Sequence, residues 1–119
     1  MAAARRAGGA GELATSEEAS IVALQRATDM AANDYFAHVS PSGVTPADLL
    51  QRLGTPYRWM GENIARSTYP QDVLAATVHD AWLASPGHRE NMLNAVYGRV
   101  GIAVVSSGAM VCIAEIFLD

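Results

Sequence analysis

The 119-residue chain has no lysine: its eight basic residues are all arginine, set against twelve acids for a net charge of −4. Phosphate backbones are bound by clustered cations, and the only adjacent basic pair here is Arg5-Arg6, so nucleic acid is not an expected partner. There is one cysteine, Cys112, which excludes an intramolecular disulfide and leaves the core to hold the fold. Its setting, Met110-Val111-Cys112-Ile113-Ala114, reads as a small buried hydrophobe, because a reactive thiol needs an exposed, electropositive site. No apolar run approaches the roughly 18 residues of a membrane-spanning helix. The start, Met-Ala-Ala-Ala-Arg-Arg-Ala-Gly-Gly, carries charge but no apolar segment behind it, so no signal peptide is read in this chain. Either the protein is made without one, or the sequence is a domain of a longer product.

The strong catalytic signatures are missing as well. There is no His-Glu-x-x-His zinc helix, phosphate-binding glycine loop, Gly-x-Ser-x-Gly elbow or Cys-x-x-Cys pair. His88-Arg89-Glu90 has the His-x-Glu spacing of zinc deaminases, but that chemistry requires further cysteine ligands.

What is present is a globular composition, with half the residues hydrophobic and 17% charged, in a length that suits one domain. Residues 1–119 are expected to form that domain, with 1–14 either flexible or part of an incomplete first helix. Thr15 with Glu18 fits a capping box, and Ile21, Leu24, Thr28 and Ala31 recur at helical spacing behind it, with Ala23, Ala27 and Met30 beside them. These signals predict a helix over about Ser16 to Ala32. Tyr35 to Gly43 reads as an ordered loop. A short helix is predicted from Thr45 as N-cap and Pro46 at the first helical position to Gly54 just past its end.

Met60-Gly61-Glu62-Asn63-Ile64-Ala65 is read as a strand with Glu62 and Ile64 on one face. Pro70 opens a third helix, with Leu74, Val78, Ala81, Trp82 and Ser85 along one side. Ser85-Pro86 repeats the capping pattern and starts a short helix through His88, Met92 and Leu93. The near-continuous apolar runs Arg99 to Val105 and Met110 to Leu118, separated by Ser106-Ser107-Gly108-Ala109, read as a hairpin covered on both faces. Helices must then lie on both sides of a small sheet.

Three ionisable residues stand in marked local settings: His38 in the loop, Glu62 on the strand and His88 in the first turn of a helix. Two imidazoles and a carboxylate suit a divalent metal such as zinc with a position left for water. They equally suit a metal-free polar site, and each alone has an ordinary structural role. His79, followed by Asp80, reads as a solvated residue, and Glu90 faces away from His88 on a helix. Asn63 and Asn91 are placed to hydrogen-bond neighbouring loops.

The segments Phe36-Ala37-His38-Val39-Ser40-Pro41-Ser42-Gly43, Gly61-Glu62-Asn63-Ile64-Ala65, Ala81-Trp82-Leu83-Ala84-Ser85-Pro86-Gly87-His88-Arg89-Glu90-Asn91-Met92-Leu93 and Val100-Gly101-Ile102-Ala103-Val104 resemble, in this order, a bacterial member of the CAP superfamily. That superfamily comprises cysteine-rich secretory proteins, antigen 5, plant pathogenesis-related proteins and bacterial SCP-like domains. The resemblance implies an α+β fold, a three-layer α-β-α sandwich with a small central antiparallel sheet covered by helices on both faces. It also implies an extracellular or cell-envelope location and a cleft of two histidines and two acids that holds a divalent metal in some members.

His38 and His88 match the histidines, and with them the tentative metal ligands; Glu62 matches one acid. Ser85 stands where the second acid would be. A hydroxyl is a weak neutral ligand, so this departure lowers the expected metal affinity. Three functions follow as expectations. The first is a secreted or surface-associated module that binds a small molecule, lipid, glycan or peptide through His38, Glu62, Asn63, Ser85 and His88, with or without a divalent cation. The second is a metal-dependent hydrolase with zinc on His38 and His88 and Glu62 as general base. The third is a structural domain of an envelope or spore layer.

Overall fold

A computed structural model describes residues 1–68 and 71–119, apart from the side chains of 71–75. The elements in chain order are α1 (Ala2–Ala7), β1 (Ala14–Thr15), α2 (Glu17–Asn33), α3 (Pro46–Arg52), β2 (Met60–Ser67), α4 (Gln71–Ala84), α5 (Pro86–Leu93), β3 (Arg99–Ser107) and β4 (Met110–Leu118). They form an α+β fold around a four-stranded sheet of order β1-β3-β4-β2. The sheet is mixed rather than purely antiparallel: β2, β4 and β3 pair antiparallel, and the two residues of β1 add to β3 in parallel. Pro70, expected to open the third helix, lies outside the described residues.

The small strand moves the first helix start by one residue. Thr15 is drawn into the pairing with Val100, so Ser16 becomes the N-cap of α2, its hydroxyl accepting from the Ala19 N–H at 3.1 Å. The start of α3 matches the expectation: Thr45 and Asp48 form a reciprocal capping box and Pro46 begins the helix. Gly54, at φ +69°, takes the left-handed conformation past its end.

Helix α2 lies on one sheet face, but not by the stripe that its large residues suggest. The buried positions are Ala19, Val22, Ala23, Arg26, Ala27 and Met30, whereas Ile21 and Leu24 face outward. Small side chains win because the helix backbone sits directly on β3. A Cβ built on Gly101 would lie 2.1 Å from the Ser20 nitrogen and 2.3 Å from the Ala19 carbonyl carbon, a clash that neither backbone can relieve. This face continues through Leu50, Ile64, Cys112, Ala114, Ile116 and Leu118. Cys112 is a buried free thiol, as its apolar run predicts, and burial pushes its pKa up.

The opposite face packs Val78 and Trp82 of α4 and Met92 of α5 with Tyr97, Val111, Ile113 and Phe117. β4 is buried from Val111 to Leu118. β3 is not covered on both faces as its apolar run predicts: Ile102 and Val104 are about half exposed, at 53% and 50%. On its other side β3 rests on α2, through Gly101 and the partly buried Ala103 and Val105. Helix α1 is held to this layer by Arg5. The Arg5 guanidinium is buried and donates to the carbonyls of Met92 (2.8 Å), Asn94 (3.2 Å) and Tyr97 (2.9 Å), two of them at the C-terminal end of α5, where carbonyls lack helical partners.

Candidate functional site

β2 is the outermost strand of the sheet, and two helices on one side of it supply what a further strand would have supplied. The Asn91 amide of α5 donates to the Glu62 carbonyl at 3.2 Å and the Trp82 indole N–H of α4 donates to the Ile64 carbonyl at 3.2 Å. An edge satisfied in this way is closed to strand addition. It also draws the start of α5, and His88 with it, against the strand that carries Glu62.

The glycine of the Gly-Glu-Asn segment is required by this contact. A Cβ on Gly61 would come within 2.9 Å of Asn91 Oδ1 and 2.8 Å of Tyr97 Oη. Asn63, expected beside the ligand, is fully buried on the other face of β2. It donates to the His88 carbonyl at 3.2 Å and accepts from Asn91 at 3.0 Å, so it fixes the backbone of His88.

Glu62 shares the α2 face with Ile64, as alternation predicts, and meets Arg26 there. Arg26 Nε donates to Glu62 Oε2 at 2.7 Å and Nη2 to Oε1 at 3.1 Å, a two-point pair with both side chains almost fully buried. The same guanidinium donates to Tyr35 Oη at 3.0 Å and to the Ala37 carbonyl, and Tyr35 donates to Asp29 Oδ2 at 2.5 Å. Burial and the hydrogen bond to Asp29 push the Tyr35 pKa up to about 12. Arg26 itself is held above its ordinary value: burial alone would lower it, but the hydrogen bond and charge of Glu62 outweigh that. By holding the Ala37 carbonyl, Arg26 also sets the loop that carries His38.

The two histidines are oriented by different groups. His38 Nδ1 lies 2.7 Å from Glu62 Oε1; because the carboxylate only accepts, Nδ1 carries the proton and Nε2 of the 60%-exposed ring is left open. His88 Nδ1 lies 2.9 Å from Ser85 Oγ, and its ring stacks on Trp82 at a centroid distance of 6.2 Å. Ser85 takes the N-cap conformation that its sequence predicts, yet its hydroxyl caps no backbone amide and is spent on His88 instead. Burial lowers the His88 pKa, and the nearby charge of His38 lowers it further. His38 is bonded to Glu62 of β2 through its ring, and His88 to Asn63 of the same strand through its carbonyl. His79 stays with Asp80, at 3.7 Å.

As a metal set these residues fit poorly. The open imidazole nitrogens are suitable donors, but structural and catalytic zinc sites use at least three protein ligands. Both Glu62 oxygens are engaged by Arg26 and His38, and Ser85 offers a neutral hydroxyl already bonded to His88. Among the described residues no group of three or more His, Cys, Asp or Glu is arranged to hold an ion.

Arg26, Tyr35, Asp29 and Arg5 were not legible as site or scaffold residues in the sequence; Asn91 was, although it bonds the strand β2 and not a loop. One signal existed for Arg26: it sits in the alanine stripe of α2, at i+4 from Val22 and i−4 from Met30, where a charge has to find a partner.

Comparison with known proteins shows which family this helix-sheet-helix domain belongs to. The profile of the Cysteine-rich secretory protein family, CAP, matches residues 1–113, and the chain belongs to this family. It is 35% identical over 99 residues to the uncharacterized protein YkwD of Bacillus subtilis, covering 82% of this chain and 37% of that protein. An SCP-domain-containing extracellular protein of Bacillus anthracis superposes with a TM-score of 0.81 at 33% identity, over 96% of this chain and 36% of that one. An outer surface protein of Borrelia burgdorferi shares the fold, with a TM-score of 0.86 at 20% identity over 99% of this chain and 85% of that one. The chain thus spans little more than a third of the two Bacillus relatives. The Bacillus anthracis protein is extracellular and the Borrelia protein is an outer surface protein, and no described helix of this chain is long and apolar enough to cross a membrane.

Proposed function

We propose that this chain is one domain of a secreted or surface-associated protein and that the β2 edge at His38, Ser85 and His88 forms a cleft for a small uncharged polar group on a lipid, glycan or peptide. The observation that carries this reading is the inward tie of both Nδ1 atoms, to Glu62 and to Ser85. Each ring then turns Nε2 to the ligand. In the Nδ1–H tautomer that Glu62 selects, the His38 Nε2 is an acceptor. His88 is free to take the opposite tautomer and donate from Nε2 when the Ser85 hydroxyl donates to its Nδ1. A hydroxyl or an amide answers such an acceptor-donor pair. Glu62 and Asn63 act behind this surface, as positioning groups.

The hydrolase reading asks Glu62 to hold and activate water. A carboxylate that is 3% exposed and accepts hydrogen bonds from Arg26 and His38 has no free face for a water, which favours binding over hydrolysis.

The test is a thermal-shift screen of glycans, lipids and peptides, repeated on a His38→Ala/His88→Ala double variant, with zinc titrated by calorimetry in parallel. A compound at about 100 times its Kd should stabilise by roughly 2.7 kcal/mol, and the variant should lose that gain. Stabilisation that survives in the variant contradicts the reading. Zinc binding at micromolar concentration that needs both histidines would restore the hydrolase.

A further inference from the structure

A second polar pocket lies on the far side of Arg26 from Glu62, between α2, the 40–44 turn and α3. It has a volume of about 270 Å3 and is lined by Gln25, Arg26 and Asp29 of α2, Ser40, Ser42 and Val44 of the turn, and Leu49 and Arg52 of α3. Several of its polar groups are not committed to the fold.

Ser40 Oγ accepts from the Val44 N–H at 3.0 Å and shares one hydroxyl hydrogen with Ser42 at 3.0 Å. Two hydroxyls own two hydrogens, so one remains to donate, whichever serine keeps it. Arg52 and Gln25 are exposed, and neither makes a hydrogen bond among the described residues. Asp48, one turn back on α3, feels the charge of Arg52, but its hydrogen bonds go to Thr45. Asp29, the one acid of the lining, already accepts from Tyr35 at 2.5 Å and from Asn33 at 2.6 Å. The uncommitted groups are therefore mostly donors, headed by a guanidinium whose planar fork matches a carboxylate. Val44 and Leu49 add an apolar wall on which the C–H face of a sugar ring can rest.

We propose that this pocket is a second binding site, separate from the His38/His88 edge, for a small hydroxylated carboxylate of the uronic-acid kind, free or at the end of a glycan. Arg52 takes the carboxylate, and the spare serine hydrogen and the Gln25 amide take ring hydroxyls. The pocket is wired to the first site by Asp29, Tyr35, Arg26, Glu62 and His38, each bonded to the next at 3.0 Å or less.

The experiment is a titration of the 15N-labelled chain with glucuronate, followed by amide and side-chain NMR shifts, with glucose and acetate as separate arms. Glucuronate should shift Gln25, Ser42 and Arg52 with a Kd in the millimolar range or tighter, and Arg52→Gln should weaken it tenfold or more. Gln25→Ala, on another element, should weaken it too, which keeps the test informative if the Arg52 variant does not fold. The His38→Ala/His88→Ala variant should bind glucuronate as the parent does, so this site can fail or stand independently of the first. Glucose or acetate binding as tightly as glucuronate, shifts confined to other surfaces, or full binding in folded Arg52→Gln would each overturn the proposal. A disaccharide ending in glucuronate distinguishes the sources: binding equal to the monomer shows that glycan ends enter, and binding of the monomer alone shows a site for the free acid.

Discussion

The two histidines of the β2 edge come from opposite layers and are held by opposite kinds of chemistry. On the α2 side, His38 is steered by a buried charged network in which Arg26 grips Glu62 at two points. On the α4/α5 side, His88 is steered by a serine hydroxyl, a tryptophan face and a backbone bond from Asn63. A charged tether in a dry interior is rigid but fails badly if one partner is lost. A neutral tether fails gently and leaves the ring's tautomer open. On the His88 side the tether supplies geometry without charge, which leaves a poor metal site.

The largest effect should come from breaking the charged side. Arg26→Ala strands a buried Glu62 carboxylate and should cost about 3–5 kcal/mol in urea unfolding; a loss under about 1 kcal/mol would mean that the network is not buried in solution.

Next comes the pH dependence of the neutral layer. Glu115, on the β4 face opposite Asn63 in register, has an unpartnered buried oxygen, and burial pushes its pKa from 4.5 to about 7. Its raised pKa means that its contribution to stability is full below 4.5 and is lost as pH rises through about 7. His88 is displaced downward from 6.5 by burial, so its contribution is present above 6.5 and is lost as pH falls. The two oppose each other, and the Glu115 displacement is the larger. The parent should therefore gain stability as pH falls from about 8 to about 5, and Glu115→Gln should flatten that gain by about 3 kcal/mol. Equal slopes for parent and variant would place the carboxyl in water.

The smallest effect bears on the two tethers themselves. Ser85→Asp puts a charged tether on His88 and should raise its pKa by about one pH unit in an NMR titration, at a stability change below about 1 kcal/mol. A lower or unchanged pKa would show that Ser85 does not face the ring.

Much of the fold was legible because local signals were consistent with one another. Thr45, Pro46 and Gly54 define α3 from both ends, and the apolar runs of β3 and β4 define the hairpin. On α2 the apolar pattern named Ala23, Ala27 and Met30, which are buried, but put Ile21 and Leu24 at its head, which are exposed, because close approach at Gly101 favours the alanines. The exposure of Ile102 and Val104 was illegible because an apolar run states what a strand prefers, not what lies over it. Of the three residues singled out in sequence, His38 and Glu62 are in contact and His88 is bonded through its carbonyl to Asn63 of the same strand. The pairing that orients His38 was not found, since Arg26 reaches Glu62 across 36 residues, a separation that no local pattern records. Asn63 shows the period-2 rule at work, because one step along β2 from Glu62 turns it to the other layer.

Both rings are tied inward by Nδ1, to Glu62 and to Ser85, and long-range 1H–15N NMR of the imidazole nitrogens, followed across a pH series, reads the tautomer of each directly. The expected spectrum shows the Nδ1–H tautomer for His38, unchanged in Ser85→Ala and lost in Glu62→Gln, with His88 alone responding to Ser85→Ala. A His38 ring protonated on Nε2, or tautomers indifferent to Glu62 and Ser85, would contradict the inward tie.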